Sequence, residues 1–208
     1  MPNWCSNTLC LQHEDPEMIA RAKRGFDNGS LLEEFIPVPQ DLKETISGSV
    51  SDPDDQAALV AKTKANIEKH GYGNWYDFCV NEWGTKWDVG GDNDVDISPD
   101  GLVMSVCFDS AWAPPVAAYE KLQDMGFQVN AYYYEPGMGF CGKWTSEDGD
   151  AYYEVSSDDS IEDIERNIPS DILEAFNIID DIQSWQESEE ELGDIDDAED
   201  SEHDEEGE

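Results

Sequence analysis

Basic residues are scarce in this chain. Lysine and arginine together number 11 in 208 residues, against 50 aspartates and glutamates, for a formal charge of −39. A field this negative repels phosphate backbones and anionic lipid heads, so neither direct nucleic-acid binding nor membrane binding is expected. No apolar run reaches the length of a transmembrane helix. The stretch MPNWCSNTLC lacks a basic n-region and an apolar h-region, so no secretory leader is expected. The five cysteines form an odd, scattered set without a CxxC, which reads as reduced thiols in a cytoplasm. His13, His70 and His203 offer no zinc-ligand spacing. Cys5 and Cys10, five apart on a strand, point to opposite faces. There is no glycine-rich phosphate loop, no GxSxG and no internal repeat. The expectation is therefore no metal and no cofactor, and binding rather than catalysis.

Two partial motifs are weaker than they look. Asp92, Asp94 and Asp96 have the first spacings of an EF-hand loop, but its glycine position holds Ile97 and its last ligand position Val103. A β-hairpin turning at Asp100-Gly101 accounts for the segment better. Cys79 or Cys141 with His70 is the one nucleophile–base combination on offer, and buried structural thiols are the preferred account.

What is abundant is acid, and it is unevenly placed. Residues 1–146 hold 23 acids and 10 bases, whereas 147–208 hold 27 acids and Arg166 alone. The chain divides on this basis into an α+β domain over 1–157, an acidic amphipathic segment over 158–186, and a tail over 187–208. The tail lacks apolar content and reads as disordered.

Within 1–157 the periodicities predict a mostly antiparallel sheet interrupted by helices. Strand 3–12 comes first, then a helix opened by Asp15-Pro16 and carrying Met18, Ile19, Ala22 and Phe26. A short extended piece at 31–40 runs into prolines, and 44–55 reads as a surface loop. Helices over 55–70 and 74–82 follow, then a hairpin of 95–98 and 102–108. A helix started by Pro114-Pro115 ends at Gly126. Strand 127–135 and a hairpin of 140–146 and 151–157 complete the domain. Residues 168–185 read as one amphipathic helix with Ile172, Phe176, Ile179 and Ile182 on one face and Leu173 and Trp185 at its edges. It suits docking on the domain or on a partner.

Aromatic residues gather around NEWGTKWD, 81–88, beside polar companions. Two readings compete for Trp75, Asp77, Asn81, Trp83, Lys86, Trp87 and Asp88. In the preferred one they are core and loop anchors, with Trp83 and Trp87 buried and Lys86 paired to Asp77, Asp88 or Asp109. In the other they line a cleft where Lys86 attracts an anion, the indoles stack a flat ligand, and Asp77 or Asp88 is a base.

Five blocks in order, MPNWCSNTL, IPVP, GYGNWYDFCVNEWGTKWD, FDSAWAPP and EPGMGFCG, resemble the YubB-like family of conjugative-plasmid and phage proteins. The resemblance covers residues 1–155. It implies a ferredoxin-like fold, in topology only, and the cytoplasm of a bacterial host. It implies no reaction and no catalytic residues. Asn3, Trp4, Cys5, Trp75, Asn81, Trp83, Gly84, Lys86, Trp87, Asp109, Trp112 and Pro114 occupy its motif positions.

Three functions are carried forward. The first is an acidic accessory protein that binds a basic or nucleic-acid-binding protein as a mimic or inhibitor. It would use Asp159, Glu162, Asp163, Asp171, Glu174, Asp180 and Asp181. The second is a small-ligand module or cryptic enzyme at 75–88. The third is a structural or virion-associated protein with a solubilising tail.

Overall fold

The structure, a computed structural model, describes residues 2–91 and 93–188. The elements run β1 (Trp4–Gln12), α1 (Pro16–Asp27), α2 (Leu31–Phe35), α3 (Gln40–Lys43), α4 (Pro53–His70), α5 (Trp75–Glu82), β2 (Val95–Ile97), β3 (Val103–Ala111), α6 (Val116–Asp124), β4 (Gln128–Glu135), β5 (Phe140–Thr145), β6 (Gly149–Glu154), α7 (Ile161–Asn167) and α8 (Ser170–Phe176), with further helix at 178–188. The expected disordered tail lies, beyond Ser188, outside the described residues. Glu187 and Ser188 themselves are helical.

β1 organises the sheet. Cys5, Asn7, Leu9 and Leu11 alternate with Ser6, Thr8 and Cys10, so one face of the pleat is buried and largely apolar, and the other is half-exposed, with small side chains. It pairs antiparallel with β3 on one side and β4 on the other. The strand order is β2-β3-β1-β4-β5-β6, every pairing antiparallel. The first four strands with their helical crossovers make the split βαβ arrangement of ferredoxin-like folds. The β5–β6 hairpin extends it past β4. The fold is α+β with helices packed on the sheet, as the sequence pattern predicts.

Helices α1, α2, α5 and α6 cover the face carrying Leu9, Leu11, Met104, Val106, Phe108, Val129, Ala131 and Trp144. α1 begins where Asp15 accepts from the Glu17 amide and Pro16 occupies the first turn. Ile19, Ala22 and Phe26 are its buried stripe. α4 differs: Asn66 is its buried residue, while Val60 and Ile67 stand in solvent. Asn66 Nδ2 donates to Thr45 Oγ1 at 2.9 Å and to Gly73 O at 3.0 Å, and Lys69 and His70 reach Asp41. A polar anchor, not an apolar stripe, holds this helix.

Two expectations need correction. Residues 31–35 are helical, not extended, because the Asp88 carboxylate receives the amides at the start of α2. The single helix expected over 168–185 is broken at Asn177, which adopts a left-handed backbone (φ 53°), and Pro169 sets its first part, α8, apart from the preceding α7. These breaks fold the segment onto the opposite face of the sheet at β4–β6. Ile164, Ile168, Ile172, Leu173, Ile178 and Ile182 form a second core there with Tyr134, Cys141 and Val155. Of the predicted face, Ile172 and Ile182 are buried and Phe176 and Ile179 partly so. Ile178 replaces Ile179 as the deepest residue, and Trp185 is exposed.

At the β4–β5 junction Gly142 faces Tyr133, whose hydroxyl donates to Asp150 Oδ1 at 2.8 Å. A Cβ on Gly142 would lie 2.2 Å from the Tyr133 hydroxyl oxygen and 2.6 Å from Ala151 O. Gly142→Ala is therefore expected to destabilise the protein by about 1–3 kcal/mol in denaturant titration, through overpacking. Tyr133→Phe/Gly142→Ala should recover little, because the ring and the Ala151 carbonyl remain in the way. A wild-type midpoint for Gly142→Ala would contradict this packing.

Candidate functional site

The segment 83–90 is a clamp with two outward side chains. Trp83 ends α5 and is buried, its indole Nε1 donating to Ile36 O at 3.0 Å. Its own carbonyl accepts the Ala118 amide, at 3.1 Å, which ties the loop to α6. Gly84 has φ 87°, and a Cβ there would meet the Val116 amide nitrogen at 3.0 Å. Thr85 Oγ1 donates to Ala111 O at 2.9 Å, joining the loop to the end of β3. Asp88 accepts from the amides of Leu32, Glu33 and Val89 at 2.7–2.8 Å. It is a cap for α2 supplied from 56 residues away in sequence. Burial pushes its carboxyl above the usual range, and those three amides pull it part of the way back.

The other predicted residues divide as follows. Asp77 belongs to the start of α5: its amide donates to Asn74 Oδ1 while its carboxylate accepts from Asn74 Nδ2. Asn81 is exposed and donates to Asp77 O. Trp75 is half-buried, edge-on to Tyr76. Lys86 does not meet a carboxylate. Among the described residues it makes no ion pair, because Asp77, Asp88 and Asp109 are engaged by Asn74, backbone amides and Ser6 respectively. Its ammonium lies 4.8 Å from the Trp87 ring centroid and 5.9 Å from that of Tyr76. Trp87, expected to be buried, is 39% exposed and packs at 5.8 Å against Trp4, itself 49% exposed. The core reading thus holds for Trp83 and Asp88, and fails for Lys86 and Trp87.

Neither of the two cysteines considered beside His70 is an activated nucleophile. Burial pushes the thiols of Cys79 and Cys141 up to about 12 and about 11, away from the thiolate form. His70 is occupied by Asp41 at 3.1 Å. Among the described residues no group of three or more His, Cys, Asp or Glu is placed to hold a metal ion. Asp92, the first residue of the EF-hand-like spacing, and His203 lie outside the described residues.

Most of the C-terminal acids are carried on the docked helices, and Asp159 lies in the bend just before α7. Asp159, Glu162, Glu174, Asp180 and Asp181 are exposed. Asp163 is held by Ser160 and Arg166. Asp171 pairs with Lys143 at 2.8 Å and accepts from the Tyr132 hydroxyl at 3.2 Å, so it fastens α8 to the sheet. Sequence reasoning missed one feature. β1 and β3 carry a second row, Ser6, Thr8, Cys10, Ser105, Cys107 and Asp109, on the side opposite the main core. Its signal was the polar half of the period-2 pattern in 3–12.

Substitutions separate the two roles within the clamp. Trp83→Ala is expected to cost about 3–5 kcal/mol and Asp88→Ala about 1–2 kcal/mol in chemical unfolding. Lys86→Ala should cost no more than about 1 kcal/mol while changing the fluorescence of Trp87. A loss for Lys86→Ala as large as that for Trp83→Ala would mean that the lysine is a buried ion-pair member.

No family model matches the chain, and no curated protein matches it. Among solved structures it is similar to the crystal structure of protein api92 from Yersinia pseudotuberculosis, a DUF1281 protein, at 12% identity and a TM-score of 0.37, over 75% of this chain and 99% of that one.

Proposed function

We propose that this protein is an acidic binding protein whose C-terminal helical layer engages the basic, nucleic-acid-contacting surface of another protein. One observation carries the reading: the carboxylates of this layer, all but Asp158 and Asp159, sit on helices anchored by a buried apolar stripe. Residues 156–188 hold ten acids and Arg166 alone. Ile164, Ile168, Ile172, Leu173, Ile178 and Ile182 hold them against β4–β6. A phosphate backbone is a regular array of negative charge, and an imitation of it needs carboxylates in set positions. Packed helices provide such positions where a bare acidic run does not. The resemblance to plasmid and phage proteins supports a mobile-element origin and a bacterial cytoplasm as the setting. No helix among the described residues is long and apolar enough to cross a membrane.

A second reading, a small-ligand module at 75–88, is favoured by Lys86 alone. Among the described residues it is a cation without an ion-pair partner, bracketed by Trp87 and Tyr76 in an acidic protein. Titration with nucleotides and aromatic carboxylates, read by tryptophan fluorescence, tests it. An unchanged signal would eliminate it.

The main reading is tested by affinity capture of basic proteins from bacterial lysate. The full chain is compared with Glu162→Gln/Glu174→Gln/Asp180→Asn/Asp181→Asn. The variant is expected to lose most of what the native chain retains. Equal retention would overturn the proposal.

A pH dependence follows from Asp171. The hydrogen bond from Lys143, opposed by burial and aided by Tyr132, holds its carboxyl below the usual range. A depressed folded value stabilises the docked helix above the unfolded pKa of about 3.9, and that contribution is lost as pH falls through the folded value. Amide exchange in α8 should therefore accelerate in acid more steeply than in the main core. Lys143→Met should remove much of the difference. An unchanged acid response in that variant would count against the ion pair.

A further inference from the structure

The C-terminal helices cover only the β4–β6 half of the second face. The rest is an open trough of about 880 Å³. Its floor is the row Ser6, Thr8, Cys10, Ser105, Cys107 and Asp109, with Ala175 and Phe176 of α8 at one wall and Asn93, Asp94 and Asp96 at the other. These floor side chains are short, so the trough is not filled from within. It spans β2, β3, β1 and β4, three inter-strand spacings or about 14 Å. That is wide enough to seat one α-helix, about 10–12 Å across.

The lining decides the occupant. Asp94, Asp96 and Asp109 contribute negative charge, and among the described residues no lysine or arginine lines the trough. The chain's own residues 189–208 carry thirteen acids and no lysine or arginine, so they have the wrong sign to fill it. A second copy of a chain with net charge −39 is likewise repelled. Among the described residues no cluster of three ligating groups is placed to hold a divalent cation. Charge complementarity leaves a segment of opposite sign. We propose that this trough is the seat for a cationic helix of a partner protein, lying across β1 and β3 between α8 and the 93–96 strip. The inference rests on the reading of the protein as a binder of basic surfaces, and it names where on the molecule the partner's basic segment lodges.

Cys107 makes the seat testable. It is exposed on the trough floor and Cys10 is half-exposed beside it, while Cys5, Cys79 and Cys141 are buried. Burial also pushes those three thiols up to about 12, about 12 and about 11. Iodoacetamide should therefore report on the trough. The probe is a short helical alanine–lysine peptide added to the full chain at near-physiological salt, with spermine as a second arm. The peptide is expected to slow alkylation of Cys107 by about tenfold or more, and Asp94→Asn/Asp96→Asn/Asp109→Asn should abolish that protection and weaken binding about tenfold. Peptide binding with Cys107 alkylated at its original rate would overturn the trough while leaving the acidic helical layer as the binding surface. Failure of the peptide to bind at all would remove both. Equal protection by spermine would make the trough a polyamine site and overturn the protein-segment proposal.

Discussion

The pairing of β1 with both β3 and β4 is the constraint from which the rest of the molecule follows. A central strand has two pleat faces, and the side-chain period of two assigns each residue to one of them. Leu9 and Leu11 go under α1 and α6 with the main core, while Ser6, Thr8 and Cys10 go to the far side. A slip of one residue would exchange the two sets, burying hydroxyls and exposing leucines. The register Thr8↔Cys107 and Thr8↔Tyr132 thus determines where the helices pack and where the second face stays open.

The helical layer on the first face consists largely of short pieces. α2 and α3 have five and four residues and would not persist alone in water. Their stability comes from outside themselves. Asp88 receives the amides of α2, Trp83 bonds to Ile36 just beyond it, and Thr85 ties the same loop to β3. A single segment therefore connects α2, α5, α6 and the sheet. That is why its tryptophan and aspartate are structural, while the lysine and second tryptophan between them remain outside.

The far face has a different logic. Helices α7, α8 and 178–188 use isoleucines to cover Tyr134, Cys141 and Val155, and the Lys143–Asp171 pair fastens their edge. Their outer sides are left to carboxylates. Amphipathicity there separates two tasks, apolar docking inward and charge display outward. The coverage stops at Phe176, which leaves the polar row of β1 and β3 bounded by an acidic wall.

Much of the architecture is legible in the sequence, because alternation and caps are local signals. The strand 3–12, the Asp15-Pro16 helix start, the Asp100-Gly101 hairpin and the helix at 74–82 all follow from spacing alone. Residues 31–35 read as extended because their N-terminal cap lies at Asp88, and a cap distant in the chain leaves no local trace. The break at Asn177 was hidden because asparagine in a left-handed turn reads like any polar residue on a helix. At the candidate site, composition identified the unusual cation and its indoles, but not their division of labour. By itself the sequence determined the excess acid, its concentration after residue 147, and the alternating faces of the central strand. Only tertiary packing decided that Lys86 stacks on Trp87 instead of pairing with a carboxylate. It alone decided that the acidic helices dock on the sheet, and that half of the second face stays uncovered. Those outcomes depend on which distant groups claim each carboxylate and each apolar surface first.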